Sequence, residues 1–108
     1  MTYIPDRGDI IWLQFNPQAG HEQAALRPAL VLSPKAYNRK ASLCIVCPMT
    51  TRPKGYPFEV VADADSVILS DQVKSLDWRA RQARFKSKCP DLVVNDVLAK
   101  LSLLIQVS

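Results

Sequence analysis

Arg27 stands immediately before Pro28, whose ring restricts the preceding residue to extended backbone. A guanidinium held at the start of an apolar strand projects outward, and its planar donor fork matches a phosphate or a phosphorane. Just upstream lie Glu22 and Gln23, a carboxylate that could act as base or orient a substrate hydroxyl and an amide that could read a polar partner. Thr50 and Thr51 follow an apolar run and could donate a hydroxyl to a phosphoryl oxygen, with Lys54 close behind. Asp71 and Gln72 close another strand-like stretch, ahead of Lys74. Each has an ordinary reading as well: a solvated arginine, turn-forming threonines, a solvated loop acid. Residue types alone leave both open.

The strongest local charge signal is RARQARFKSK, Arg79 to Lys88, with five positive charges and no negative one. Simple strand alternation puts Arg84, Lys86 and Lys88 on one face, and with Arg79 and Arg81 they could track a nucleic-acid backbone or merely be solvated. The whole chain carries 14 Lys and Arg against 10 Asp and Glu, a net charge of +4 that favours an anionic partner. Trp12 and Trp78 read as core residues rather than base-stacking platforms.

Other chemistries are set aside by what is missing. Three glycines in 108 residues make a glycine-rich nucleotide cradle implausible, and no nucleophile elbow or His-Glu-x-x-His helix occurs. The carboxylates are scattered, the closest group being Asp63 and Asp65 in a turn, which argues against a two-metal nuclease. Cys44 and Cys47 have metal-pair spacing but no second pair, and with Cys89 and a single histidine, His21, they read as buried thiols on different faces of a strand. Chemistry on a phosphate is therefore expected to need no metal or other cofactor.

These residues must be positioned by short elements. DIIWLQFN, Asp9 to Asn16, reads as a strand ended by Pro17, and Pro17 to Leu26 as a loop too long for a tight hairpin. Pro28 to Ser33 is a short strand, Pro34 to Lys40 a polar or single helical turn, and Ser42 to Met49 a buried central strand. Phe58 to Ala62 and Val67 to Ser70 flank the acidic turn Asp63 to Asp65, and Val73 to Leu76 extends the sheet. Pro90 suits a first helical turn, after which Val94, Val97, Leu98, Leu101, Leu104 and Ile105 recur at helical spacing. The expected fold is mostly β (α+β): one domain over residues 1–108, a small barrel of curved antiparallel strands with a C-terminal amphipathic helix. With no long apolar stretch and no signal-peptide pattern at the start, a cytoplasmic protein is expected.

Taken in order, GDIIWLQFNP, EQ-x-x-x-RP-x-LVLSP, TT-x-x-KGYPFEV and DQVKS-x-x-WRAR resemble the MazF/PemK-type toxin endoribonucleases over nearly the full chain, and the MazF branch most. The resemblance implies an SH3-like barrel, a homodimer, metal-independent cleavage of single-stranded RNA by the ribose 2′-hydroxyl, and an antitoxin partner with an acidic, flexible tail. It carries Arg27, Thr50 and Glu22 over as catalytic residues. It leaves Gln23, Thr51, Lys54, Asp71, Gln72, Lys74, Arg79, Arg81, Arg84 and Lys86 as RNA-binding candidates.

The chain departs from the family pattern at two points. Some MazF relatives place a histidine before the RP arginine, where this chain has Leu26, and the PemK branch uses an arginine where this chain has Leu69. The first departure leaves a histidine base unsupported, and the second makes Asp71 a hydrogen-bonding partner rather than the general base. Two other readings share the fold: a non-catalytic nucleic-acid-binding barrel, and a toxin that poisons a protein target such as a topoisomerase.

Overall fold

The computed structural model describes residues 2–15 and 26–107. Among these residues there are seven strands and two helices, in the order β1 (Asp9–Gln14), β2 (Leu26–Val31), α1 (Lys35–Ala41), β3 (Leu43–Thr50), β4 (Glu59–Val61), β5 (Val67–Leu69), β6 (Lys74–Asp77), β7 (Arg84–Lys88) and α2 (Asp91–Ile105). All pairings are antiparallel, and the path across the sheet runs β4, β5, β3, β2, β1, β7, with β6 joined to β3. This is the expected α+β arrangement of curved strands with a C-terminal helix.

Strand β3 is the hub. Its first half, Leu43 to Val46, pairs with β6, while its last residues, Met49 and Thr50, pair with β5. The unbroken apolar run of β3 reflects burial on both faces. On one face, Cys44 and Val46 pack with Ile11, Leu13, Ala29, Val31 and Trp78. On the other, Cys47 and Met49 pack with Ile10, Leu30 and Ile68 beneath α2. Cys44 and Cys47 therefore point to opposite sides, as their odd spacing requires.

Strand β2 starts at Leu26, earlier than the expected Pro28, so Arg27 lies within the ladder opposite Leu13 rather than ahead of it. Pro28 is accommodated beside Trp12, its missing N–H falling outside the β2–β3 register, which begins at Ala29. The segment expected to be one turn is the helix α1, anchored by the buried Asn38. The Asn38 side-chain amide donates to the backbone carbonyls of Pro5 and Ser33 and accepts the Ser33 hydroxyl, while the Asn38 backbone carbonyl accepts from the Trp78 indole, which joins three remote segments.

Two further expectations are corrected. The helix α2 buries Val94, Val97 and Leu101 against the sheet, but Leu104 and Ile105 are 52% and 71% exposed because the last turn carries them past the packed face. In β7, Lys86 is a bulge opposite the Ile10–Ile11 step of β1: Ile11 pairs with Phe85 and Ile10 with Ser87, so the alternation expected to align Arg84, Lys86 and Lys88 is interrupted. Lys86 sits over the Trp12 ring, and Lys88 donates to the buried carboxylate of Asp9 at 2.7 Å. Asp9 also accepts from the Tyr3 hydroxyl and the Asp6 amide, so its burial leaves neither oxygen without a donor.

Several groups hold protons more tightly in the folded chain than in the unfolded one. Burial pushes the Cys44 and Cys47 thiols up to about 12. Burial also raises Cys89 and Tyr3, and the hydrogen bond to Asp9 raises Lys88. Between the unfolded value of 9.0 for a thiol and the raised folded values, the unfolded chain has released protons that the folded chain keeps. Stability must therefore fall as pH rises through that window. Urea unfolding from pH 7 to 11 should show the decline setting in above pH 9, and a Cys44→Ala, Cys47→Ala variant should decline less steeply. An equally steep decline in the variant would remove the thiols from this account.

Candidate active site

The end of β3, the start of β2 and the loop 51–58 enclose a cavity of about 480 Å³. Arg27 reaches it from β2 and Thr50 from β3, with Arg52, Lys54 and Lys74 contributing further positive charge. Glu59 is the only carboxylate among its described lining residues, so four cations face one anion. Such an excess in a concave site concentrates a polyanion and favours a phosphate over a neutral group. Phe15, the last described residue before position 26, adds an aromatic wall, and Gln72 a neutral polar one.

Thr50 is oriented as well as placed. Its Oγ1 accepts the Arg52 amide at 3.1 Å, so the hydroxyl proton remains to be donated elsewhere. A neighbouring hollow of about 470 Å³ is lined by Arg27, Thr50, Thr51 and Arg52. Arg27 and Thr50 thus border both spaces, which gives an extended chain a route past them.

Tyr56 lines the cavity and donates its hydroxyl to Asp71 Oδ1 at 3.0 Å. Burial and this bond raise the Tyr56 hydroxyl above its ordinary value, so it stays a proton donor at neutral pH. Asp71 is exposed and reaches the site through Tyr56.

Of the residues singled out from sequence, Arg27, Thr50, Lys54, Gln72 and Lys74 share the main cavity, and Thr51 lies in the adjoining hollow. Glu22 and Gln23, with His21, fall outside the described residues. The basic run goes elsewhere. Arg79 stacks on Trp78 with its guanidinium carbon 4.4 Å from the ring centroid, and it hydrogen-bonds Ser42. Arg81 donates to the carbonyls of Gln14 and Phe15 at 3.0 and 2.6 Å, fixing the end of β1. Arg84 and Lys86 are exposed on β7.

Sequence reasoning passed over Phe15, Arg52, Tyr56 and Glu59. Tyr56 and Glu59 sit in the stretch KGYPFEV, whose Lys-Gly turn and following aromatic residue were the available signal. Among the described residues, no group of three or more His, Cys, Asp or Glu side chains could hold a metal ion.

The motifs and the fold define a known class. Residues 6–105 match the family described as PemK-like, MazF-like toxin of type II toxin-antitoxin system, and the chain belongs to that family. It is 50% identical over 106 residues to the endoribonuclease toxin MazF of Escherichia coli, spanning 95% of this chain and 96% of that one. It is 33% identical over 105 residues to the Escherichia coli endoribonuclease PemK, covering 90% of this chain and 79% of the relative. A crystal structure of MazF from Deinococcus radiodurans superposes with a TM-score of 0.88 at 49% identity, covering 98% of this chain and all of the other. A MazE–MazF structure from the same organism gives 0.90 at 50% identity, over 99% of this chain and 100% of that one.

The hydrogen bonds of Arg81 predict a structural role for it. Arg81→Ala should lower the free energy of unfolding by about 1–3 kcal/mol, because two carbonyls lose a charged donor. Arg84→Ala, on an exposed strand face, should stay within about 0.5 kcal/mol of the parent. Denaturant titration of both variants checks this, and equal effects would contradict it.

Proposed function

We propose that this chain is the toxin of a type II toxin–antitoxin pair and a metal-independent endoribonuclease that cuts single-stranded RNA. The observation that carries the reading is the meeting of Arg27 and Thr50 at one cationic cavity, in a chain of this family. In the reaction, the 2′-oxygen of a ribose attacks the adjacent phosphorus and loses its proton, the bond from phosphorus to the 5′-oxygen breaks, and that oxygen gains a proton. The products are a 2′,3′-cyclic phosphate and a 5′-hydroxyl.

Arg27 stabilises the charge that builds on the phosphorane, and the Thr50 hydroxyl donates a hydrogen bond to a non-bridging oxygen. Glu22 is assigned the orientation or deprotonation of the 2′-hydroxyl. Lys54 and Lys74 hold flanking phosphates, Thr51 and Gln72 contact the chain between them, and Phe15 offers a stacking face. The exposed Arg84 and Lys86 extend the basic surface on β7, whereas Arg79 and Arg81 chiefly hold the scaffold.

The active species is a homodimer in the cytoplasm. Leu103, Leu104, Ile105 and Val107 are each more than half exposed, a cluster of apolar side chains suited to being covered by a second chain. A MazE–MazF complex among its structural relatives supports an antitoxin as a further partner. An acidic flexible segment would be drawn to the cationic cavity.

Purified protein incubated with single-stranded RNA and excess chelator should cut it and leave cyclic phosphate ends. One 2′-deoxy nucleotide on the 5′ side of the mapped cut should abolish cleavage while binding persists; continued cutting would refute 2′-hydroxyl attack. Arg27→Ala should lower the rate by at least ~10²-fold with the fold intact, the scale of losing one transition-state donor. A near-normal rate would remove Arg27 from the chemistry.

A further inference from the structure

Glu59 is out of place in a phosphate site on electrostatic grounds. It is the first residue of β4 and lines the cavity with Arg27, Lys54 and Lys74, where its charge opposes an incoming polyanion. Its two oxygens are nevertheless engaged in a specific way. Oε2 accepts the backbone N–H of Lys54 at 2.8 Å, and Oε1 accepts that of Gly55 at 2.9 Å.

Two successive backbone N–H groups converging on one anion form a concavity that otherwise captures a free anion. Here a side chain of the same protein fills it. The turn that points both amides the same way depends on Gly55, whose φ of +82° is the left-handed conformation. No atom lies within 4 Å of a Cβ placed at Gly55, so the glycine serves the backbone angle rather than close packing.

The bonds to Glu59 fall at the middle of a loop whose two ends are tied separately. At the start, Thr50 accepts the Arg52 amide; at the finish, the Phe58 carbonyl accepts the Ser70 amide at 3.0 Å. The stretch between them carries Lys54, whose four-carbon stem needs a fixed base to deliver its charge to one place. We infer that Glu59 is a positioning residue for RNA: by clamping the Lys54 and Gly55 amides it sets the loop 51–58 so that Lys54 meets a phosphate flanking the scissile one. The inference rests on the endoribonuclease reading and adds to it a residue that touches no substrate.

Charge and positioning make opposite predictions for Glu59→Gln. Removing a negative charge from a cationic cavity should tighten RNA binding, whereas an amide retains only one acceptor for two N–H donors and should release the loop. The test uses single-stranded RNA with a 2′-deoxy nucleotide at the mapped cut, titrated into the full chain at several salt concentrations. Glu59→Gln is expected to bind about tenfold more weakly than the parent, the equivalent of one charge-assisted hydrogen bond. The slope of log affinity against log salt should fall by about 0.7, the value for one lost phosphate contact on a single strand.

On cleavable RNA, KM should rise more than kcat falls. In a Lys54→Ala background the same substitution should have little further effect, which a general loss of stability would not reproduce. If the parent binds the RNA and Glu59→Gln binds as tightly or more tightly, the inference is overturned and the endoribonuclease reading stands. If Glu59→Gln weakens binding equally with and without Lys54, Glu59 does not act through Lys54 and the inference is also overturned. If the parent fails to bind the RNA at all, the functional reading falls and takes the inference with it.

Discussion

Burial on both faces of β1, β2 and β3 is the constraint from which the site follows. A slip of one residue turns every side chain to the other face of a strand, and here it would exchange two different sets of core partners. Ile11, Ala29 and Val46 would have to trade places with Ile10, Leu30 and Cys47, which pack against other elements. The register is therefore fixed on both sides at once. Arg27 opposite Leu13, and Thr50 opposite Val67, are consequences of that fixed register rather than of any interaction between the two site residues. The scaffold thus places Arg27 and Thr50 on one cavity without any bond between them.

Position alone does not make the cavity selective for a phosphate chain. The cations around it come from three sources: a strand (Arg27), the loop 51–58 (Arg52 and Lys54) and the start of β6 (Lys74). Their mutual repulsion is a cost in the empty protein and is relieved when an anion enters. The Glu59 carboxylate offsets part of that repulsion, and its oxygens accept the Lys54 and Gly55 amides of the loop. Tyr56 and Asp71 tie the same loop to the residues just after β5, so the loop is held from two directions.

Much of the fold was legible because the decisive elements are apolar runs bounded by turn residues. The run around Cys44 to Met49 and the helical spacing of Val94, Val97 and Leu101 state their burial directly. The acidic turn does too: Asp63 accepts from the Asp65 amide and the Ser66 hydroxyl, as turn chemistry predicts. What periodicity could not show was length and reach. Leu104 and Ile105 satisfy the helical pattern yet pass beyond the packed face, since a pattern does not reveal where the sheet beneath it ends. Asn38 was hidden for a different reason. A buried residue whose side-chain amide bonds Pro5 and Ser33 and whose backbone carbonyl accepts from Trp78 looks, in sequence, like an ordinary polar residue in a short turn.

The site was legible in its parts and not in its partition of charge. A run of five cations reads as one surface because a sequence assigns every arginine the same value. In the folded chain, Arg79 lies on Trp78, Arg81 donates to backbone carbonyls and Lys88 neutralises Asp9. A guanidinium already engaged by carbonyls can meet a phosphate only by giving those bonds up, so its formal charge overstates what it can add to binding. The shorter and less conspicuous set of Arg27, Arg52, Lys54 and Lys74 is instead gathered from distant positions around one cavity. Convergence of cations on a concave surface, not their density along the chain, is therefore the quantity that bears on anion binding, and it comes into being only when β2, β3 and β6 are brought together.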